Sequence, residues 1–100
     1  MKAPQDCGSM AELRQQIDAL DVEIVKLMAR RVGYIDRAIE LKPGEALPAR
    51  IEARVAAVLE NVRAAAVREG CDPALAEELW RAMIEWSIKR EERVLGRSPG

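Results

Sequence analysis

No histidine occurs in these 100 residues. That absence excludes histidine-based triads, imidazole general bases and most zinc sites, because imidazole is the side chain that titrates near neutrality and the commonest metal ligand. Phenylalanine is missing as well, and the aromatic residues come to three: Tyr34, Trp80 and Trp86. Runs rich in β-branched residues are nearly absent, while Ala, Leu, Glu and Arg abound, a composition that points to an all-α fold. Cysteine is scarce. Cys7 and Cys71 stand far apart in no metal-like spacing, as expected of two reduced thiols in an intracellular protein, with a disulfide between tail and loop as the alternative. Net charge is nearly absent too, at −1, so nothing draws the chain toward nucleic acid or acidic membranes, and neither is expected as a partner. Any anion site must be a local cluster of bases. The stretch Met1–Asp6 lacks the apolar core of a signal peptide, and no later stretch could span a bilayer. A cytoplasmic location is the expectation.

What is present is a long heptad pattern. One register reads Met10, Ile17, Ile24, Arg31, Ala38, and its companion reads Leu13, Leu20, Leu27, Tyr34, Leu41. A pattern sustained over this length is the signal for helix-against-helix packing. Ser9-Met10-Ala11-Glu12 has the form of a capping box, so the first helix is predicted over 9–42, after a tail at 1–8, and Pro43-Gly44 ends it. At 1.5 Å per residue such a helix is a rod of about 50 Å, whereas a compact domain of this size is about 34 Å across. The rod overshoots its own globule and needs a second chain to cover its seam, which predicts an intertwined homodimer.

After a short loop, Pro48 suits the first turn of a second helix, predicted over 48–69 with a stripe at Ile51, Val55, Val58, Leu59, Val62 and Ala66. Gly70 stops it. Asp72-Pro73 is a cap followed by proline, and opens a third helix over 72–95. Its stripe runs Trp80, Ile84, Ser87, Glu91, Leu95, with Leu79, Met83 and Trp86 beside it. The whole chain, 1–100, reads as one helical domain.

Several polar residues stand in apolar places. Arg31 interrupts the heptad seam, and a packed guanidinium must be paired, because an unpaired buried charge costs several kcal/mol or more. Lys42 lies about three turns beyond Arg31 and points the same way, so both could lean toward one small anion. Arg14 is about 25 Å from Arg31 along one helix and could approach it only from a second, antiparallel copy. Ser87 and Glu91, at i and i+4, share the apolar stripe of the third helix. A glutamate there is either paired with a base such as Arg31 or Lys42, or held neutral. Arg54 lies at the edge of the second helix's stripe. The run Lys89-Arg90-Glu91-Glu92-Arg93 reads otherwise as a solvated surface. Together these residues describe a base-rich pocket with one carboxyl group and no nucleophile, suited to positioning a small dianion and stabilising charge rather than to covalent or metal chemistry.

In this order and spacing, Leu13-Arg14-Gln15-Gln16-Ile17-Asp18, Ile24-Val25, Arg30-Arg31, Lys42, Arg54 and Ser87-x-x-x-Glu91 resemble the all-α chorismate mutase family over residues 9–95. The N-terminal Lys2–Cys7 segment and Arg54-Val55 look most like its isochorismate-pyruvate lyase branch. The resemblance implies an intertwined helical dimer. It also implies a small dicarboxylate substrate, chorismate or isochorismate, with Lys42 and Glu91 as the catalytic pair at the ether oxygen. Arg14 would enter from the other protomer and grip the substrate carboxylates together with Arg31, while Arg54 and Ser87 add contacts. It implies no cofactor and no metal.

Two departures stand out. Many bacterial mutases carry glutamine at the position of Glu91, and a glutamate donates to the ether oxygen only when protonated, so activity should fall as pH rises. Val55 replaces a glutamate of typical bacterial mutases, an acid the lyase branch also lacks. The leading expectation is a chorismate mutase, and the alternative is an isochorismate-pyruvate lyase with weak mutase activity. A third reading is a non-catalytic dimerisation module in which Arg31 pairs with an internal carboxylate.

Overall fold

The structure, a computed structural model, describes residues 1–97; the last three positions of the expected 1–100 domain lie outside the described residues. It is all-helical. Among the described residues there are three α-helices and no strand: α1 at Met10–Leu41, α2 at Glu52–Glu69 and α3 at Pro73–Leu95. The chain packs as two compact units, Met1–Tyr34 and Ile35–Gly100.

In the first unit the expected tail is folded. A 3-10 turn at Pro4–Asp6 leads to the start of α1, where Ser9 Oγ accepts from the Glu12 N–H at 3.2 Å. The Glu12 carboxylate reaches back to the Gly8 N–H at 3.0 Å, one residue earlier than the capping-box pattern specifies. Lys2 adds its ammonium to the same oxygen at 3.0 Å, and its backbone N–H donates to Gln16 Oε1 at 2.9 Å. The Gly8 N–H, and secondarily the Lys2 ammonium, hold the Glu12 carboxyl below its ordinary range. No residue of α1 is buried. Its heptad positions Met10, Ile17, Leu20, Ile24 and Leu27 remain between 47% and 57% exposed, so the apolar seam written into the sequence is uncovered.

In the second unit, α1 ends at Leu41, one residue short of the predicted Lys42. Lys42 still keeps helical angles (φ −58°, ψ −41°) and donates its N–H to the Ala38 carbonyl at 2.9 Å. A 3-10 turn at Pro43–Glu45 follows and closes on Ala46, which adopts the left-handed conformation at φ 56°. The second helix begins at Glu52 rather than at the predicted Pro48. Pro48 is suited to a helical first turn, but tertiary contacts claim the residues after it. Ala49 is buried, with its carbonyl taken by Lys42, Arg50 is drawn to α3, and Ile51 is extended (φ −127°, ψ 104°).

The turn between α2 and α3 follows the sequence closely. Gly70 takes φ 72°, letting its N–H reach Val67 and the Cys71 N–H reach Ala66 at 2.8 Å. That pairing satisfies the last carbonyls of α2 as a Schellman motif does. Asp72 accepts from the Ala74 N–H at 2.8 Å and starts α3 behind Pro73. Leu59, Ile84 and Ile88 form the core between the two helices, with Val55, Val58 and Trp80 against them. Cys7 and Cys71 are both free thiols.

Candidate active site

Along α3 the 3-4 stripe carries its apolar residues inward, and two polar residues go with them. Ser87 and Glu91, one turn apart, are each 4% exposed. The Ser87 hydroxyl donates to the Met83 carbonyl at 2.9 Å, the back-bond by which serine tolerates a helix interior. Glu91 meets the base its burial requires. Lys42 Nζ lies 2.6 Å from Glu91 Oε1, with side chains 16% and 6% exposed. Of the two partners the sequence left open for Glu91, the structure supplies Lys42.

The pair is closer as charges than as a hydrogen bond. Oε1 has no aligned donor among the described residues, although the ammonium sits against it. The well-directed bond of Lys42 runs instead to the Ala49 carbonyl at 2.8 Å. The short charged contact dominates, since a Coulombic attraction in a desolvated site does not depend on N–H direction. The result is an ammonium held from two sides next to a carboxylate oxygen that still lacks a directed donor.

Two further ion pairs join separate elements of the second unit. Arg90 Nε donates to Asp36 Oδ1 at 2.6 Å and Arg90 Nη2 to Oδ2 at 3.2 Å, and the guanidinium stands 5.5 Å from the Trp86 ring centroid. Arg90 holds the Asp36 carboxyl below its ordinary range. Arg50 grips Glu85 with both prongs, at 2.8 and 2.6 Å, and likewise holds the Glu85 carboxyl low. The run 89–93 is therefore not uniformly solvated. Lys89 and Arg93 are exposed, Arg90 and Glu92 are half-buried, and Glu91 is buried. Spacing alone could not pair Asp36 with Arg90 or Arg50 with Glu85, because each joins separate elements. The i, i+4 placement of Trp86 and Arg90 was the available hint that Arg90 leans onto the helix.

Of the six residues singled out in the sequence, Lys42, Ser87 and Glu91 are brought inward in the second unit. Arg54 stays exposed on the first turn of α2. Arg14 is exposed and Arg31 half-buried in the first unit. Among the described residues, no three Cys, Asp or Glu side chains converge as metal ligands would, and no helix is long and apolar enough to cross a membrane. What the buried contact offers chemically is an oriented cation and hydrogen-bond donor facing a desolvated carboxylate, which can stabilise negative charge developing on a bound oxygen.

Residues 13–92 match the family model for chorismate mutase type II. The chain belongs to the type II chorismate mutase family. All six residues fall inside the matched span, and membership makes the chain an enzyme of the chorismate mutase class. Among this family's relatives, the chain is 37% identical over 92 residues to an isochorismate pyruvate lyase of Pseudomonas aeruginosa, covering 91% of this chain and 89% of that one. It is 28% identical over 85 residues to a T-protein of Haemophilus influenzae, covering 85% of this chain. A T-protein of Enterobacter agglomerans is 30% identical over 84 residues, or 84% of this chain. The chain spans 22% of the length of each T-protein.

Proposed function

We propose that this protein rearranges chorismate to prephenate, as a cytoplasmic intertwined homodimer that uses neither cofactor nor metal. The observation that carries the reading is the Lys42 ammonium held 2.6 Å from buried Glu91 in a chain of this family. The Claisen rearrangement breaks an ether C–O bond and forms a C–C bond in one pericyclic step. It asks the protein for no nucleophile, only for a constrained substrate conformation and stabilisation of charge on the departing oxygen. Lys42 supplies that cationic donor. Glu91, buried against the Lys42 ammonium, holds that cation in place beside the ether oxygen. Arg31 and the partner protomer's copy of Arg14 grip the two substrate carboxylates, and Arg54 and Ser87 complete the contacts.

The dimer is supported by the open apolar face of α1 (Ile24, for example, is 53% exposed), which a second copy of the same helix would cover. A second reading has its own observation. The lyase relative is matched over nearly the full length of both chains, and Val55 stands where that branch also lacks an acid. In that reaction the same site moves a hydrogen to the enolpyruvyl side chain of isochorismate and releases pyruvate, leaving salicylate.

A paired assay of the purified protein at mildly acidic and neutral pH decides between them, following chorismate loss by absorbance and salicylate by fluorescence. The expected result is efficient prephenate formation with little salicylate. Dominant salicylate assigns the lyase reaction, and silence in both leaves a structural dimer.

A further inference from the structure

Ala49 is 3% exposed, the lowest value among the buried apolar residues, yet it lies in a loop and not in a helix. A loop residue is drawn this deep only if something holds the loop down. Its neighbour Arg50 does so, through the two-pronged ion pair with Glu85 of α3. That pair is half-exposed, with side chains 32% and 47% accessible, so its contribution to overall stability is small. A bidentate guanidinium–carboxylate contact nevertheless fixes direction as well as distance. What it fixes is the adjacent Ala49 carbonyl, and that carbonyl accepts the directed hydrogen bond of Lys42 at 2.8 Å.

Glu91 holds the Lys42 ammonium close through charge, at 2.6 Å, whereas the directed hydrogen bond of that ammonium runs to the Ala49 carbonyl. Aim therefore comes from the loop. Glu85 and Glu91 both belong to α3, so one rigid helix sets the height of the loop at one point and receives the ammonium at another. The loop is also closed from its own side, where the Lys42 carbonyl accepts from the N–H groups of Glu45 and Leu47 at 3.1 and 3.0 Å.

We propose that Arg50 and Glu85 form a positioning pair for Lys42: their ion pair seats the Ala49 carbonyl, which aims the Lys42 ammonium at the reacting oxygen beside Glu91. The catalytic half of this statement rests on the function proposed above; the geometric half stands on the contacts alone.

The test compares the wild type with Arg50→Ala, Glu85→Ala and the double variant. Glu77→Gln serves as a control, since it removes a bridge from α3 to Arg63 of α2 and one within α3 to Arg81. The first readout is the rate at which trace acetic anhydride acylates Lys42 relative to exposed Lys89, measured by peptide mass spectrometry on the folded protein. Each single variant is expected to raise the Lys42 rate several-fold, the double variant no further, and the control not at all. The second readout is steady-state turnover. A displaced ammonium lowers kcat by about tenfold or more while KM moves by less than about threefold, and the double variant again loses no more than either single.

Unchanged labelling in both single variants overturns the proposal, as does an additive loss in the double variant. A rise in KM at constant kcat also overturns it, since that would make Arg50 a substrate contact. If the wild type turns over neither substrate, the functional reading fails, and labelling alone judges the positioning pair.

Discussion

At Lys42 one ammonium serves two acceptors of unequal kind, a backbone carbonyl that directs it and a buried carboxylate that it neutralises. Removing the cation strands the anion. Lys42→Ala is expected to destabilise the protein by about 3–5 kcal/mol at neutral pH, the usual result of leaving a buried charge unpaired, and to lower kcat/KM by a factor on the order of 10²–10³. Urea denaturation and steady-state kinetics measure the two losses separately. Glu91→Gln has the opposite balance. It removes the countercharge but leaves Lys42 its bond to Ala49, and Lys42 is the less buried partner, so the loss of stability is expected to be smaller than for Lys42→Ala. Arg31→Ala separates enzyme from scaffold: a scaffold loses thermal stability, whereas the proposed enzyme loses turnover. Asp36 and Glu85, both held low by arginines, add a small acid-sensitive contribution to the stability of the second unit, discounted by their exposure. A carboxylate whose folded pKa is depressed contributes stability above its unfolded pKa of about 3.9 (Asp) or 4.3 (Glu) and loses it as pH falls through the folded value. Thermal melts of Asp36→Asn with Glu85→Gln should therefore fall less steeply than wild type below about pH 4, and equal slopes would show that these pairs carry no linkage.

At the scale of elements, the loop between α1 and α2 holds the structure's left-handed alanine. Ala46 takes φ 56°, a conformation that costs a non-glycine residue roughly 1–2 kcal/mol, while Gly44 beside it has no need of its freedom. Ala46→Gly is expected to raise stability by about 0.5 kcal/mol, the relief of strain being partly offset by greater freedom in the unfolded chain. A drop on chemical denaturation would mean that the alanine methyl packs usefully. This loop is also where the sequence was least legible. Helix type, the stop at Gly70, the cap at Asp72 and the inward turn of Ile84, Ser87 and Glu91 could all be read from local chemistry and a 3-4 spacing. Pro48 gave a local preference too, but the burial of Ala49 and the reach of Arg50 to Glu85 are long-range contacts that no spacing encodes, and they displaced the start of α2 to Glu52. The same limit hid the Asp36–Arg90 pair, whereas the burial of Ile88 lies within reach of spacing, one turn beyond Ile84.

For the whole molecule, the decisive feature is α1, a helix with heptad patterning and no buried residue. If a second copy covers it, as proposed, a charge placed in the seam must be desolvated on assembly. Ile24→Glu should then give a monomer in sedimentation velocity at concentrations where wild type is a dimer, with activity lost because Arg14 no longer reaches a partner's site. A dimer that survives Ile24→Glu would mean that the seam is not the interface. The exposed face of α1 also bears on how the protein reaches its folded state. If its burial comes only from a second copy, as proposed, α1 cannot complete folding in isolation, and refolding would include a bimolecular step whose rate rises with protein concentration. Newly made chains at low abundance would spend longer with Met10, Ile17 and Leu27 open to water, and production of active enzyme would depend on how many copies are made close together as well as on how many are made.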